Sequence, residues 1–299
     1  MLHVLTHNIL PVFAMLALGF VMGRFAWASR QEAQVINRIA FMVLQPPLLF
    51  MLLTSLDLTA VRYDALALYF VAEVIMFALT FTISRLLFRC ETGEAFLLGM
   101  CVIFVNSLLY ISPISVLIYG AEGAIPIIVI VALDASFWFA FFIIGMELIQ
   151  GKGGALAALP RIVKNPVLVT IVLSLALNLS GLPIPEPVVT ASEFAGAATA
   201  PMVLFALGVV LSSHAITPTP VVAGISALKL FGLPLLVWAG FQTLSPTNPW
   251  ADLFTMTASG PAGAMAFSLA LLYGVRTDRI AAIIIWTSVL SLVSLSYLA

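Results

Sequence analysis

Apolar stretches of about 20 residues recur along the whole chain, separated by short clusters of charged residues, glycine and proline. Each stretch is long enough to cross a hydrocarbon core of roughly 30 Å as a helix rising 1.5 Å per residue. Breaking the 299-residue sequence at its polar clusters gives ten spans, approximately 7 to 23, 36 to 53, 65 to 84, 95 to 119, 124 to 149, 166 to 182, 195 to 211, 221 to 243, 251 to 273 and 280 to 298. Composition agrees: 63% of residues are hydrophobic, only 8% are charged and the mean hydropathy is +1.18, more apolar surface than a soluble core can bury. The alternating pattern of a membrane β-barrel is absent. The chain therefore reads as all-α, a polytopic membrane protein whose surroundings are a lipid bilayer. The first apolar run lacks the basic segment and small-residue cleavage site of a signal peptide, so it is expected to persist as a helix.

Charge placement sets the expected topology. Arg24, Arg30 and Arg38 flank the first loop, Arg85 and Arg89 the third, Lys152, Arg161 and Lys164 the fifth, and Arg276 and Arg279 the ninth. All lie on one side, which leaves Arg62 on the other and Lys229 inside a span. Because positively charged loops stay in the cytoplasm, both termini are expected outside it. The longest connection, Gln150 to Asn165, carries Gly151, Gly153, Gly154 and Pro160 and divides the chain into five plus five spans. The expected organisation is a first repeat over 1–150, a linker over 151–165 and a second repeat over 166–299. An odd number of helices per half gives the second half the opposite orientation. Weak internal similarity fits this. Pro46-Pro-Leu-Leu-Phe50 and Pro201-Met-Val-Leu-Phe205 are offset by 155 residues, Glu73 and Lys229 by 156, and Pro113 and Pro261 by 148. Near-constant offsets with reversed orientation point to an inverted repeat.

Two spans carry polar, proline-bearing breaks: Asn106-Ser-Leu-Leu-Tyr-Ile-Ser-Pro113 in the fourth and Ala258-Ser-Gly-Pro-Ala-Gly263 in the ninth. Proline removes a backbone hydrogen bond, and in lipid this is tolerated only where protein or a water-lined cavity satisfies the freed groups. One break per half suggests a binding site at mid-membrane, with unpaired N–H groups of half-helices turned to a carboxylate and unpaired carbonyls to a cation or water. Asn106, Ser107 and Ser112 would add uncharged donors. Pro113 and Pro261 would shape the breaks, and the small residues Gly260 and Gly263 would allow close approach. The same serines and glycines could equally serve only helix packing.

Three ionisable residues lie deep in spans. Asp134 falls near the midplane of the fifth span, where an ionised carboxylate costs roughly 2.5–3.5 kcal/mol or more, so it should be protonated, paired or cavity-facing. Proton loading is its expected role. Glu73 and Lys229 each sit about eight residues, or about 12 Å, inside opposite faces, so their depths differ by only about 6 Å. An ion pair between them is open if their helices are neighbours; the alternative is that each snorkels or pairs separately, and Lys229 could attract an anion. Glu147, Asp57, Asp64, Glu122, Glu186 and Glu193 read as solvated at span ends. His3, His7 and His214 read as interfacial, Trp27, Trp238 and Trp250 as an aromatic belt, and the Phe-rich run around Trp138 as lipid-facing or packing surface. Cys90 and Cys101 make no CxxC pair and the histidines show no metal spacing, so no disulfide, metal or cofactor is expected. A net charge of −1 gives no basis for a nucleic-acid partner.

With these features in view, the chain resembles the auxin efflux carrier family, including its bacterial members. The likeness runs through Ile9-Leu-Pro-Val-Phe13 and Ala17-Leu-Gly-Phe20, Ile36-Asn-Arg38 leading into Gln45-Pro-Pro-Leu-Leu-Phe50, Asn165-Pro-Val-Leu168, Pro201-Met-Val-Leu-Phe-Ala-Leu-Gly208 and Leu228-Lys-Leu230. The resemblance implies the architecture of bile-acid symporters and sodium/proton antiporters: ten helices in two inverted halves, with the fourth and ninth helices crossing at their breaks. It also implies transport of a small organic anion, auxin in plant members and dicarboxylates such as malonate or malate in bacterial ones. Leu108 and Ile111 replace glycines of the family pattern, and Met265 stands where the family has an asparagine, so substrate identity does not carry over.

The expectation is a secondary transporter of a mono- or dicarboxylate in the bacterial inner or plasma membrane. Spans 1, 2, 6 and 7 would act as scaffold and spans 3–5 and 8–10 as the moving domain, with Met265 among the substrate contacts. A homodimer is compatible with this. Proton coupling, sodium coupling and uniport all stay open, while no Gly-rich ATP-binding loop is present. The alternatives are a cation/proton antiporter with Asp134 as ion ligand, although no second charged residue lies near Trp286 in the tenth span, and an intramembrane enzyme, for which no aspartate pair, His-bearing metal motif or GxSxG elbow is found.

Overall fold

The computed structural model describes residues 2–120, 125–151, 159–160, 163–214 and 216–298. Glu122, Lys152, Gly153, Gly154 and Arg161, singled out above, lie outside the described residues. The described chain is helical throughout. Helices long and apolar enough to cross a membrane are α1 (Leu2–Arg24), α2 (Arg30–Thr54), α3 (Tyr63–Leu86), α6 (Ile125–Gln150), α8 (Glu186–Ser212), α9 (Pro220–Leu244) and α12 (Asp278–Leu298). Shorter apolar helices are α4 (Thr92–Ile103), α5 (Ser107–Tyr119), α7 (Pro166–Ser180), α10 (Ala251–Ala258) and α11 (Met265–Tyr273). Large apolar side chains such as Leu79, Val172, Leu173, Phe231 and Val293 stand exposed on their outer faces, as lipid contact requires.

Proline writes much of the local geometry. Wider π-turns occupy Leu5–Ile9, Ala40–Leu44, Ser107–Ile111 and Leu228–Gly232, each just ahead of a proline: Pro11, Pro46, Pro113 and Pro234. A proline cannot donate, and its ring crowds the carbonyl four residues back, so the helix widens rather than breaks. A further π-turn, Asp134–Trp138, has no proline and begins at the mid-span acid instead.

Close packing is set by glycine. A Cβ on Gly19 of α1 would lie 2.0 Å from the carbonyl oxygen of Phe205 in α8, and one on Gly208 would lie 2.1 Å from that of Leu16, so the two backbones touch through paired glycines. On α7, Asn178 donates its amide to the carbonyls of Leu53, Thr54 and Leu56 at 2.9, 3.0 and 2.8 Å, capping the end of α2. Helices α1, α2, α7 and α8 thus pack on one another. Elsewhere Phe77 of α3, Phe96 of α4 and Trp138, Phe141 and Phe142 of α6 make one edge-to-face aromatic cluster. Trp138 is only 2% exposed and so packs inside the protein, while Phe137 beside it is exposed on the outer face.

Candidate functional site

Residues 104–106 interrupt the path from α4 to α5, and residues 259–264 the path from α10 to α11. The interruptions meet. Val105 and Ala262 form an antiparallel bridge in which Asn106 N–H donates to Pro261 O at 3.0 Å and Gly263 N–H donates to Phe104 O at 2.8 Å. Ala262 N–H is taken by Thr287 Oγ1 of α12 at 3.1 Å. Three of the N–H groups expected to face a ligand therefore satisfy the protein itself, a correction to the sequence reading. The glycines leave room for close neighbours: a Cβ on Gly260 would meet Ile111 Cδ1 at 2.5 Å, and one on Gly263 would meet Phe104 O at 2.9 Å.

A cavity of about 100 Å³ opens beside this crossing. From the crossing it is lined by Asn106, Ser107, Gly263 and Met265, from α6 by Asp134 and Phe139, from α2 by Asn37, Phe41, Gln45 and Leu49, and from α7 and α8 by Val167 and Val203. Ser268 of α11 also borders it. Ser112, Pro113, Gly260 and Pro261 do not line the cavity; Ser112, Gly260 and Pro261 are buried in the crossing behind it. Asn37 and Ser268 are exposed and lie toward the face that carries Arg24, Arg30 and Arg276. Asn37 and Gln45 escaped the sequence reading. Their four-residue spacing with Phe41 and Leu49 was the available signal.

Glu73 and Lys229 are both 0% exposed and stay outside the cavity lining. The ion pair open to them is not formed; each pairs separately. Trp138 Nε1 donates to Glu73 Oε2 at 2.7 Å, whereas Lys229 Nζ donates to Ala258 O at 2.7 Å, a carbonyl that the end of α10 leaves without a helical donor. A lysine suits that position because the C-terminus of a helix carries partial negative charge. Asp134 sits between these residues and the cavity and interacts electrostatically with both. The Asp134 and Glu73 carboxyl groups meet in the protein interior, and Tyr69 OH and Ser107 Oγ are buried with no hydrogen-bond partner among the described residues. Buried groups in that condition are uncommon and mark a site of strain, solvent or chemistry. Glu147 also departs from expectation: it is 2% exposed rather than solvated and accepts from Tyr273 OH at 3.0 Å.

An integral, multi-pass helical protein with a small, largely apolar cavity bearing a few amides and one carboxyl group at interrupted helices has the build of a membrane transporter rather than of an enzyme. Comparison with known proteins agrees. Residues 155–299 match the family described as membrane transport protein. A Rhizobium meliloti protein named "Putative malonate transporter" is 25% identical over 98% of this chain and 94% of its own length. An "Uncharacterized transporter" of Methanothermobacter thermautotrophicus is 26% identical over 97% of this chain and 96% of its own length. The resemblance therefore stands: the second half of the chain matches the membrane transport protein family, and relatives named as transporters align along nearly all of it.

Proposed function

We propose that the chain is a secondary transporter that moves a small organic anion, a mono- or dicarboxylate, across the bacterial inner or plasma membrane by alternating access. In this reading ten spans form two inverted halves, with α4–α5 and α10–α11 as the broken fourth and ninth helices and both termini outside the cytoplasm. Helices α1, α2, α7 and α8 are the scaffold, and the remaining helices move against it. The observation that carries the reading is the cavity itself. It lies where α2, α7 and α8 face the crossing, and it is lined by uncharged amides with Asp134 as the one ionisable group among its lining residues. Its extension toward the arginine-rich face corresponds to an inward-facing state. At about 100 Å³ it suits a small organic ion rather than a drug-sized molecule. The name of the Rhizobium relative makes malonate the first substrate to test.

Asp134 is the proposed coupling residue, with Glu73 and Lys229 as its electrostatic partners. The test is uptake and efflux of a panel of mono- and dicarboxylates in proteoliposomes with imposed pH, sodium and potential gradients. Asp134→Asn is expected to abolish accumulation driven by the pH gradient while leaving counterflow exchange measurable; intact pH-driven accumulation removes Asp134 from coupling. Asn106→Ala is expected to raise KM by about tenfold through one lost hydrogen bond, and an unchanged KM removes it from the site.

The buried cluster of Asp134, Glu73 and Lys229 also supports a second reading, a cation/proton antiporter. Sodium/proton exchange by the reconstituted protein without any carboxylate would favour it.

A further inference from the structure

Three carboxamides, Asn37, Gln45 and Asn106, converge on the cavity, and none of their side chains makes a hydrogen bond among the described residues. Asn106 belongs to the crossing, whereas Asn37 and Gln45 belong to α2. Their alignment is built. In a regular α-helix, side chains four residues apart drift by about 40° per step, so Asn37, Phe41, Gln45 and Leu49 would spread over about 120°. The π-turn over Ala40–Leu44 winds wider and takes up part of that drift, and the Pro46-Pro47 pair that forces it stands immediately after Gln45. The result is one continuous stripe facing the cavity with two amides in it.

No lysine or arginine lines the cavity among the described residues, so an anion there is held by neutral donors. On the moving side these are the Asn106 amide and the first turn of α5, whose N–H groups lack helical acceptors and lie at the positive end of the helix. On the fixed side they are the amides of α2. A carboxamide both donates and accepts, so it can meet a carboxylate or a protonated carboxyl group. It cannot meet a methyl group without leaving its own polar atoms unpaired.

We infer that Gln45, flanked by Asn37, is the specificity-determining residue on the fixed half of the site, reading the second polar end of a small dicarboxylate whose first carboxylate is held at Asn106. This inference rests on the transport reading above and extends it. A substrate hydrogen-bonded at both ends bridges the two halves; a monocarboxylate of the same size holds only one.

Malonate and propionate separate the two cases, since they differ by a carboxylate against a methyl group. Purified protein in proteoliposomes is assayed for uptake of each radiolabelled acid, as wild type and as Gln45→Met, which keeps chain length and removes the amide. The kcat/KM ratio of malonate to propionate is expected to fall about tenfold in Gln45→Met, with propionate uptake little changed. Gln45→Glu is expected to impair malonate uptake near neutral pH and to recover part of it on acidification, which a purely structural role does not produce. An unchanged malonate to propionate ratio in active Gln45→Met overturns the assignment and leaves transport standing. If wild-type protein carries neither acid but transports another acid of the panel, this assignment falls and the transport reading stands; if it carries no acid of the panel, both fall. If Gln45→Met does not fold, competition on wild type decides. Propionate must inhibit malonate uptake about tenfold less well than unlabelled malonate does, and equal inhibition overturns the inference.

Discussion

Replacing Gly208 by alanine tests whether the α1–α8 contact sets the stability of the molecule. The new Cβ would lie 2.1 Å from Leu16 O and 2.7 Å from Phe20 N, whereas carbon at Cβ essentially never approaches another heavy atom below 3.0 Å. The helices must separate by the difference, about 1 Å, and no side chain can rotate away because both obstructing atoms are backbone. Overpacking of this kind costs about 1–3 kcal/mol, and a backbone obstacle argues for the upper end. Alanine returns up to about 1 kcal/mol through helix propensity, which leaves a net loss of about 2 kcal/mol. At about 2–4 °C per kcal/mol for chains of 150–250 residues, thermal unfolding in detergent should shift down by roughly 4–8 °C. Gly93→Ala is the control, because its nearest contact would be Met146 Cε at 3.6 Å, ordinary packing distance. Gly19→Ala should behave like Gly208→Ala, and the double variant should cost less than the sum because one separation relieves both contacts. A Gly208→Ala melting temperature within a degree or two of wild type would refute the argument.

Thr287→Val removes the hydroxyl that accepts from Ala262 N–H and leaves that donor buried, which should cost about 1–3 kcal/mol in thermal unfolding while Thr287→Ser stays near wild type. Equal melting temperatures for Val and Ser would mean that the crossing does not need this bond. Cys90, in the connection between α3 and α4, is buried, and desolvation followed by the nearby Glu94 carboxylate raises its pKa. It should stay a thiol at neutral pH and react slowly with maleimide, faster as pH rises and faster in Glu94→Gln; labelling at the rate of the unfolded chain would contradict this.

The seven long apolar helices among the described residues were legible because lipid imposes one requirement on a crossing helix, about 20 apolar residues, and hydropathy reports it directly. In the ninth span the interruption at 259–264 overlaps the Ala258–Gly263 stretch, whereas in the fourth it falls at 104–106, ahead of Pro113, which lies inside α5 in the first turn after its π-turn, where a proline is tolerated. What ran against the sequence reading was the use of the freed groups. Lys229 and Glu73 looked like a pair from depth and charge, yet Lys229 reaches a carbonyl that exists only because α10 ends at Ala258. Glu73 instead meets an indole from α6, a contact 65 residues away in sequence that no local pattern announces. Gln45 was missed because its exposure to the cavity depends on a π-turn, and the Pro-Pro that forces that turn reads in sequence only as a kink.

The two kinds of helix end at the crossing are treated differently, and this bears on which ligand the site prefers. The C-terminal ends are closed by the protein: Phe104 O, just past α4, accepts Gly263 N–H, and Ala258 O of α10 accepts Lys229 Nζ. The N-terminal ends of α5 and α11 instead border the cavity, through Ser107 and Met265. Helix C-termini attract cations and N-termini attract anions. A cation seeking the carbonyl ends must displace either the Lys229 ammonium or a backbone bridge, whereas an anion meets positive helix ends bordered by unpaired amides. On the proposed reading the lysine acts against cations twice, by occupying their acceptor and by repelling them. On the same reading, methionine at 265, where the resembling family has asparagine, leaves recognition to α5 and α2, which is where Asn106 and Gln45 stand.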